Sequence, residues 1–241
     1  MKVNEYRGPD SHHVQQMFAG IAHRYDFLNH FLSASIDRHW RKIAVARVRE
    51  LVSPSSSSTC LDVCCGTGDL AIAVQRAFGN TVIASDFCHP MLTLANGKIA
   101  AGGMDRSIHN VEADTLNLPF GDQSFDAVTI AFGLRNLEDP VRGLAEIHRL
   151  LHPSGAAVIL EFSKPVIPIF RNLFGLYFRY VLPHVGAAIS GNAAAYQYLP
   201  DSVARFPAQK ELAELMRSVG FLNVGYRNLS GGIAALHWGI K

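Results

Sequence analysis

Between Thr59 and Phe162 the chain alternates short apolar runs with helical stretches, and no other feature of it restricts the fold so strongly. The runs at 59–63, 81–85, 108–112, 125–131 and 156–162 have strand length. Helical patterns extend to residue 78, follow His89-Pro90 and cover about Pro140 to Leu151. Apolar strands separated by helices read as βαβ units, in which helices cover both faces of a mostly parallel sheet. A helix at about 208–219 and two more strands, 222–228 and 231–240, complete a seven-stranded, Rossmann-like α/β prediction. The last two strands are close enough to pair as a hairpin, which would leave one antiparallel strand at the end of the sheet.

The segments around this core are also patterned. Val14, Met17, Phe18, Ile21 and Tyr25 recur at helical spacing; a polar break near Ser33-Ala34-Ser35 precedes a second, basic amphipathic helix, and Pro54 to Ser58 is a linker. The reading is one domain over 1–241, with an N-terminal helical lid at 11–50, a ligand-binding core at 59–162, an apolar insertion at 165–200 and a C-terminal helix and hairpin at 208–241. Apolar residues make up 49% of the chain and charged residues 17%, which fits a globular protein with a substantial core. A net charge of +2 with scattered Lys and Arg lacks the basic patch of a nucleic-acid binder, so no nucleic-acid partner is expected. Cys60, Cys64, Cys65 and Cys88 show neither zinc-site spacing nor a disulfide framework; they read as packing residues of a protein in a reducing compartment, with no metal implied. The first residues carry no apolar run suited to export, so a cytoplasmic location is expected.

The loop after the first strand narrows the ligand. Leu61-Asp62-Val63-Cys64-Cys65-Gly66-Thr67-Gly68-Asp69-Leu70-Ala71 sets two glycines between a strand and the mouth of a helix, where the missing Cβ atoms let the backbone turn tightly and a ligand come close. Gly66, Gly68 and Ala71 also satisfy a loose dinucleotide fingerprint, so a nicotinamide oxidoreductase is the rival reading. The charges argue against it. A pyrophosphate is drawn to a helix N-terminus as an anion, whereas Asp62 and Asp69 surround this loop with carboxylates. The expected ligand is cationic. S-adenosylmethionine carries a sulfonium and an ammonium, and a carboxylate beside the loop can hold the ammonium. Asp86 closes the second strand where an acid accepts ribose hydroxyls, and Asp114, with Thr115 beside it, follows the third strand within reach of an adenine amino group. Each aspartate taken singly also reads as a turn former or helix cap; four in register favour the ligand.

Phe125-Asp126-Ala127-Val128-Thr129-Ile130-Ala131-Phe132-Gly133-Leu134-Arg135-Asn136 is more specific than the glycine loop. It resembles the menaquinone and ubiquinone biosynthesis C-methyltransferases, the UbiE/MenG family. So do Tyr25-Asp26-Phe27-Leu28-Asn29, Leu160 to Pro165, Tyr196 to Ser202 and Gly232 to His237, a match over nearly the whole chain. The resemblance implies a class I S-adenosylmethionine methyltransferase fold. It also implies methyl transfer to a ring carbon of a polyprenyl hydroquinone, demethylmenaquinol becoming menaquinol. A benzoquinol of the ubiquinone pathway or another apolar acceptor is the alternative; Cys64-Cys65 before Gly66 look like the menaquinone-specific members. The family's cofactor contacts fall on Thr67, Asp86, Asp114 and Thr115, with a further one on Ala131, where some members have Ser.

Carbon methylation needs a ring made nucleophilic by loss of a phenolic proton and a methyl donor held in line with it, so positioning and electrostatics carry most of the catalysis. Arg135 and Asn136, after the fourth strand, are the first choice for contacting this acceptor. Arg135 is too basic to take a proton itself but can stabilise a phenolate or orient a water, and Tyr25 can bond the other ring oxygen. The bland alternatives are a salt bridge from Arg135 to Glu138 or Asp139, and a core position for Tyr25. His148 and His152 read as solvated and His237 as a satisfied core residue. The insertion, with Phe170, Leu173, Phe174, Tyr177, Phe178 and Tyr180, suits either a tunnel or membrane-facing cover for a prenyl tail or a helix packed on the core. Peripheral contact with the inner face of the cytoplasmic membrane and a homodimer stay open.

Overall fold

The computed structural model describes residues 6–32, 35–166 and 193–241, apart from the side chains of residues 24–32 and 193–197. Most of the apolar insertion, residues 167–192, and the side chain of Tyr25 lie outside the described residues.

Seven strands form one sheet: β1 (Thr59–Val63), β2 (Thr81–Asp86), β3 (Ile108–Glu112), β4 (Phe125–Ala131), β5 (Leu151–Phe162), β6 (Leu222–Leu229) and β7 (Ala234–Ile240), in the order β3-β2-β1-β4-β5-β7-β6. The pairs from β3 through β5 are parallel, and β7 runs antiparallel to both β5 and β6. The expected hairpin therefore forms, but its antiparallel strand sits inside the sheet: β7 slots between β5 and β6, and β6 takes the edge. Sequence proximity fixes which strands can pair in a hairpin and says nothing about which of the two reaches the older edge. β5 also starts five residues before the predicted Ala156, because Leu151 pairs with Phe125 and a register shift absorbs the residues up to the Ala127–Ala156 pair.

Side chains alternate across the sheet as a two-residue period demands. Leu61, Val63, Val128, Ile130, Ala157 and Ile159 face one layer, where they meet α5 (Pro140–Leu150) and α7 (Gln209–Ser218) through Leu144, Ile147, Leu212 and Met216. Cys60, Ala127, Val158 and Leu160 face the other, against α2 (Ile36–Val52), α3 (Asp69–Phe78) and α4 (His89–Ala101) through Trp40, Val48, Val74 and Ile99. Each fully buried Leu, Ile or Val contributes roughly 1.5–3 kcal/mol of transfer free energy, so the two layers hold the strand ends in fixed register. α1 (Ser11–Leu32) lies on α4, with Phe18 and Ala22 against Cys88 and Met91. α6 (Ala193–Arg205) begins inside the last part of the predicted insertion and runs past its end at residue 200, a helix whose internal Pro200 hides it from the periodicity.

Two backbone features shape the strand ends. Gly68 caps α3 at φ +82°, in the left-handed region, and a Cβ there would lie 3.3 Å from Ala95 Cβ; the glycine brings α3 and α4 together. Gly133, just after β4, passes so close beneath the β1 loop that a Cβ would meet Cys64 Cβ at 2.3 Å. Among the described residues no helix is long and apolar enough to cross a membrane.

Candidate active site

The C-terminal ends of the parallel strands converge where strand order reverses between β1 and β4, the place where open α/β sheets bind ligands. Two adjoining clefts open there, of about 650 and about 350 Å³. Cys64, Gly66, Ala131 and Phe132 line both. Cys64 and Phe132 also have positive φ, 51° and 60°, a costly conformation for residues with a side chain; it turns the backbone sharply as each strand ends.

Asp86, Asp114, Thr115 and Asn136 line the larger cleft, and Ser11, Val14 and Phe18 of α1 cover part of it. Gln15 secures that helix by donating to Phe87 O at 2.7 Å. Asp86 accepts from Gly66 N at 2.8 Å and from Cys88 N at 2.9 Å, so one carboxylate ties the β1 loop to the β2 loop. Burial raises its pKa from the ordinary carboxylate value, against the lowering effect of those backbone donors. Asp114 caps its own turn by accepting from Leu116 N at 2.9 Å, and it also lines the cleft. Thr115 is buried, with its hydroxyl 3.4 Å from Cys64 Sγ.

The smaller cleft is lined by Arg41, Asp62, Thr67 and Asp69. Asp62 is only 1% exposed. Thr129 on β4 donates to its Oδ1 at 2.7 Å, while Oδ2 is buried with no hydrogen-bond partner among the described residues. Desolvation pushes its pKa up to about 7, despite the Thr129 hydrogen bond, the pull of the Ala71 backbone N–H and the Arg41 charge. Asp69, by contrast, is engaged: Lys98 Nζ lies 2.7 Å from one oxygen and Arg41 Nη2 3.5 Å from the other. Lys98 also donates to Thr67 Oγ1 at 2.8 Å, and Arg41 pairs with Asp37. The acid ring read from the sequence thus has one neutralised member, because cations from α2 and α4 reach it. Gly68 lines neither cleft; it sits behind the loop, where it packs α3 against α4.

Arg135 and Asn136, adjacent in sequence, separate in space. Asn136 lines the larger cleft. Arg135 is 5% exposed and lines neither, with its guanidinium bonded to Glu161 Oε1 at 2.7 Å and to Phe132 O. The expected partners Glu138 and Asp139 are not the ones it uses. Asp139 caps α5 by accepting from Arg142 N at 3.0 Å and pairs with Arg7 at 3.3 Å. The signal for Glu161 in the sequence is an acid at the end of an otherwise apolar strand, which needs a cation once buried. Phe162, over which Arg135 lies at 5.3 Å, packs at a tilt against Phe132 with ring centroids 4.6 Å apart, and Trp40 of α2 closes the cluster on both rings. Sequence reasoning also missed Arg41 and Thr129, which require knowing what α2 and β4 face.

The cysteines behave as packing residues: burial raises the thiol pKa of Cys64 and Cys65, and that of Cys60 to about 12, which leaves them protonated and poor nucleophiles. His148 packs edge-on against Phe221 at 5.0 Å instead of standing in solvent, since α5 turns that side toward α7 and β6. His237 is buried and its Nε2 meets Gln209 O at 2.8 Å, but Nδ1 has no partner among the described residues; burial lowers its pKa to about 4.

Solved structures share this architecture. The chain superposes on the [4+2]-cyclase SpnF with a TM-score of 0.71 over 98% of this chain and 97% of that one, at 17% identity. A SAM-dependent methyltransferase from Aquifex aeolicus matches with a TM-score of 0.59 over 82% and 88%, at 16% identity. Such identities speak for the fold alone. In sequence, the demethylmenaquinone methyltransferase of Deinococcus radiodurans is 49% identical over 95% of this chain and 92% of its own length. That of Thermus thermophilus is 46% identical over 92% and 99%. The ubiquinone/menaquinone biosynthesis C-methyltransferase UbiE of Geotalea uraniireducens is 44% identical over 95% and 96%. The ubiE/COQ5 methyltransferase family model matches residues 2–241, so the chain belongs to that family.

Proposed function

We propose that this chain uses S-adenosylmethionine to methylate a ring carbon of a polyprenyl hydroquinone, converting demethylmenaquinol to menaquinol. The observation that carries the reading is the buried Oδ2 of Asp62 in the wall of the smaller cleft, which has no side-chain partner among the described residues. An anion there suits an ammonium and repels a pyrophosphate, which favours the sulfonium donor over a dinucleotide. The larger cleft has the mixed polar and apolar lining of a nucleoside site.

In this reading Asp62 holds the amino-acid end, with Thr67 and the Gly66 backbone beside it. Asp86 receives the ribose hydroxyls, Asp114 and Thr115 meet the adenine, and Ala131 offers a smooth wall where a serine would add a hydroxyl. When bound, the cofactor supplies an electrophilic methyl group. Asn136 bonds a ring oxygen of the acceptor, and Arg135, fixed from behind by Glu161, lowers the cost of negative charge on that oxygen as its proton passes to a water. Tyr25 bonds the second ring oxygen, and residues 165–200 shelter the prenyl tail, with peripheral membrane contact as a corollary. Cys64-Cys65 favour menaquinol over the ubiquinone pathway.

Mass spectrometry of quinones from a strain lacking the gene tests this: the accumulating quinone should be one methyl short. A normal menaquinone pool would refute it. Titration calorimetry with the purified chain should show binding of S-adenosylhomocysteine and none of NADH.

A further inference from the structure

Asn136 ends the short helical turn Leu134–Asn136 and has its amide fixed from two sides. Its Nδ2 lies 3.3 Å from Phe132 O, and its Oδ1 lies 2.8 Å from the hydroxyl of Tyr198 on α6. A backbone carbonyl only accepts, so the amide nitrogen has to face Phe132. The amide oxygen then faces Tyr198, and since that oxygen bears no proton, the phenol must donate. One Nδ2 hydrogen is left without a protein acceptor among the described residues, on a side chain in the cleft wall.

We propose that Tyr198 is a positioning residue: by donating to Asn136 Oδ1 it locks the amide in the one orientation that offers the acceptor's ring oxygen a donor instead of a lone pair. This rests on the role given above to Asn136. A donor at that point stabilises a phenolate as it forms, whereas a rotated amide would present an oxygen to an oxygen and oppose it. Tyr198 is suited to the task and to no proton transfer of its own, because burial pushes its pKa up to about 12, against the lowering effect of Arg135. It stays a donor throughout the neutral range. It also ties α6, which carries the end of the insertion, to the turn after β4.

The test is a double-mutant cycle on the purified chain with S-adenosylmethionine and a demethylmenaquinol. Tyr198→Phe keeps the ring and removes one oxygen; kcat should fall about tenfold, the rate equivalent of one hydrogen bond. The acceptor KM and S-adenosylhomocysteine affinity should hold, and the melting temperature should fall by no more than a few degrees. Asn136→Ala should cost about a hundredfold, as for loss of one oxyanion donor, and the double variant should be no slower than Asn136→Ala alone. Asn136→Asp, which still accepts from Tyr198 but cannot donate, should be as slow as Asn136→Ala; it keeps the test intact if Tyr198→Phe folds poorly. A wild-type rate for Tyr198→Phe, or losses that multiply in the double variant, would overturn the positioning role and leave Asn136 in place. A wild-type rate for Asn136→Ala would remove the underlying role of Asn136 itself, and an active Asn136→Asp would show that donation is not what the site requires.

Discussion

Glu161 grips Arg135 at two points: Oε1 accepts from the guanidinium at 2.7 Å and Oε2 from the backbone N–H at 3.2 Å. With side chains 6% and 1% exposed, the pair is a buried ion pair at the seam between β5 and the turn after β4. Such a pair costs much to desolvate, and its removal leaves whichever charge remains without compensation.

Breaking the pair from either side should therefore destabilise the fold by about 3–5 kcal/mol, read from denaturant unfolding of Glu161→Ala and Arg135→Ala. The joint replacement Arg135→Met with Glu161→Leu should recover most of that stability. Methyl transfer should stay abolished in it while S-adenosylhomocysteine still binds. Recovery of turnover in the apolar pair would reduce Arg135 to a structural role.

Asp62 gives a pH dependence with a definite sign. Its folded pKa is raised, from a usual 3.8 to about 7, so the unfolded chain sheds this proton first and stability falls as pH rises from about 4 to about 7. Asp62→Asn should flatten that slope. A cation bound against Oδ2 favours the ionised form, so cofactor binding near pH 6 should release close to one proton, and near pH 8 almost none. Calorimetry in buffers of different ionisation heat measures the count; the same count in Asp62→Asn would dissociate Asp62 from the site.

Asp86 joins two loops that both reach the larger cleft, through Gly66 N and Cys88 N. Asp86→Ala should weaken S-adenosylhomocysteine binding by ~1.5–3 kcal/mol, the range for a charge-assisted hydrogen bond. An unchanged dissociation constant would take Asp86 out of the ribose position.

Gly133 tests the packing beneath the clefts. Gly133→Ala would force a methyl to within 2.3 Å of Cys64 Cβ, and such overpacking should cost ~1–3 kcal/mol and lower the melting temperature. Adding Cys64→Gly removes the clashing atom and suits the positive φ at that position. The double variant should melt above Gly133→Ala, and failure to do so would mean that the clash is relieved elsewhere.

The sequence by itself determined the strand-and-helix frame, because an apolar run between helical patterns can bury itself in few ways. β1, β3 and β4 appear at the predicted bounds. It also determined that Asp86, Asp114, Thr115, Gly66 and Asn136 would meet: residues that follow parallel strands arrive at the same sheet edge whatever the loop details. Only the tertiary structure decided the partners. Arg135 chose Glu161, twenty-six residues away, over neighbouring acids; Asp69 was neutralised by Lys98 and Arg41 from two helices; and β7 entered the sheet between β5 and β6. These outcomes depend on which faces pack together and on the loss of water around buried charges, which make a contact strong or costly according to distance in space. A one-dimensional pattern of residue types carries no record of those distances.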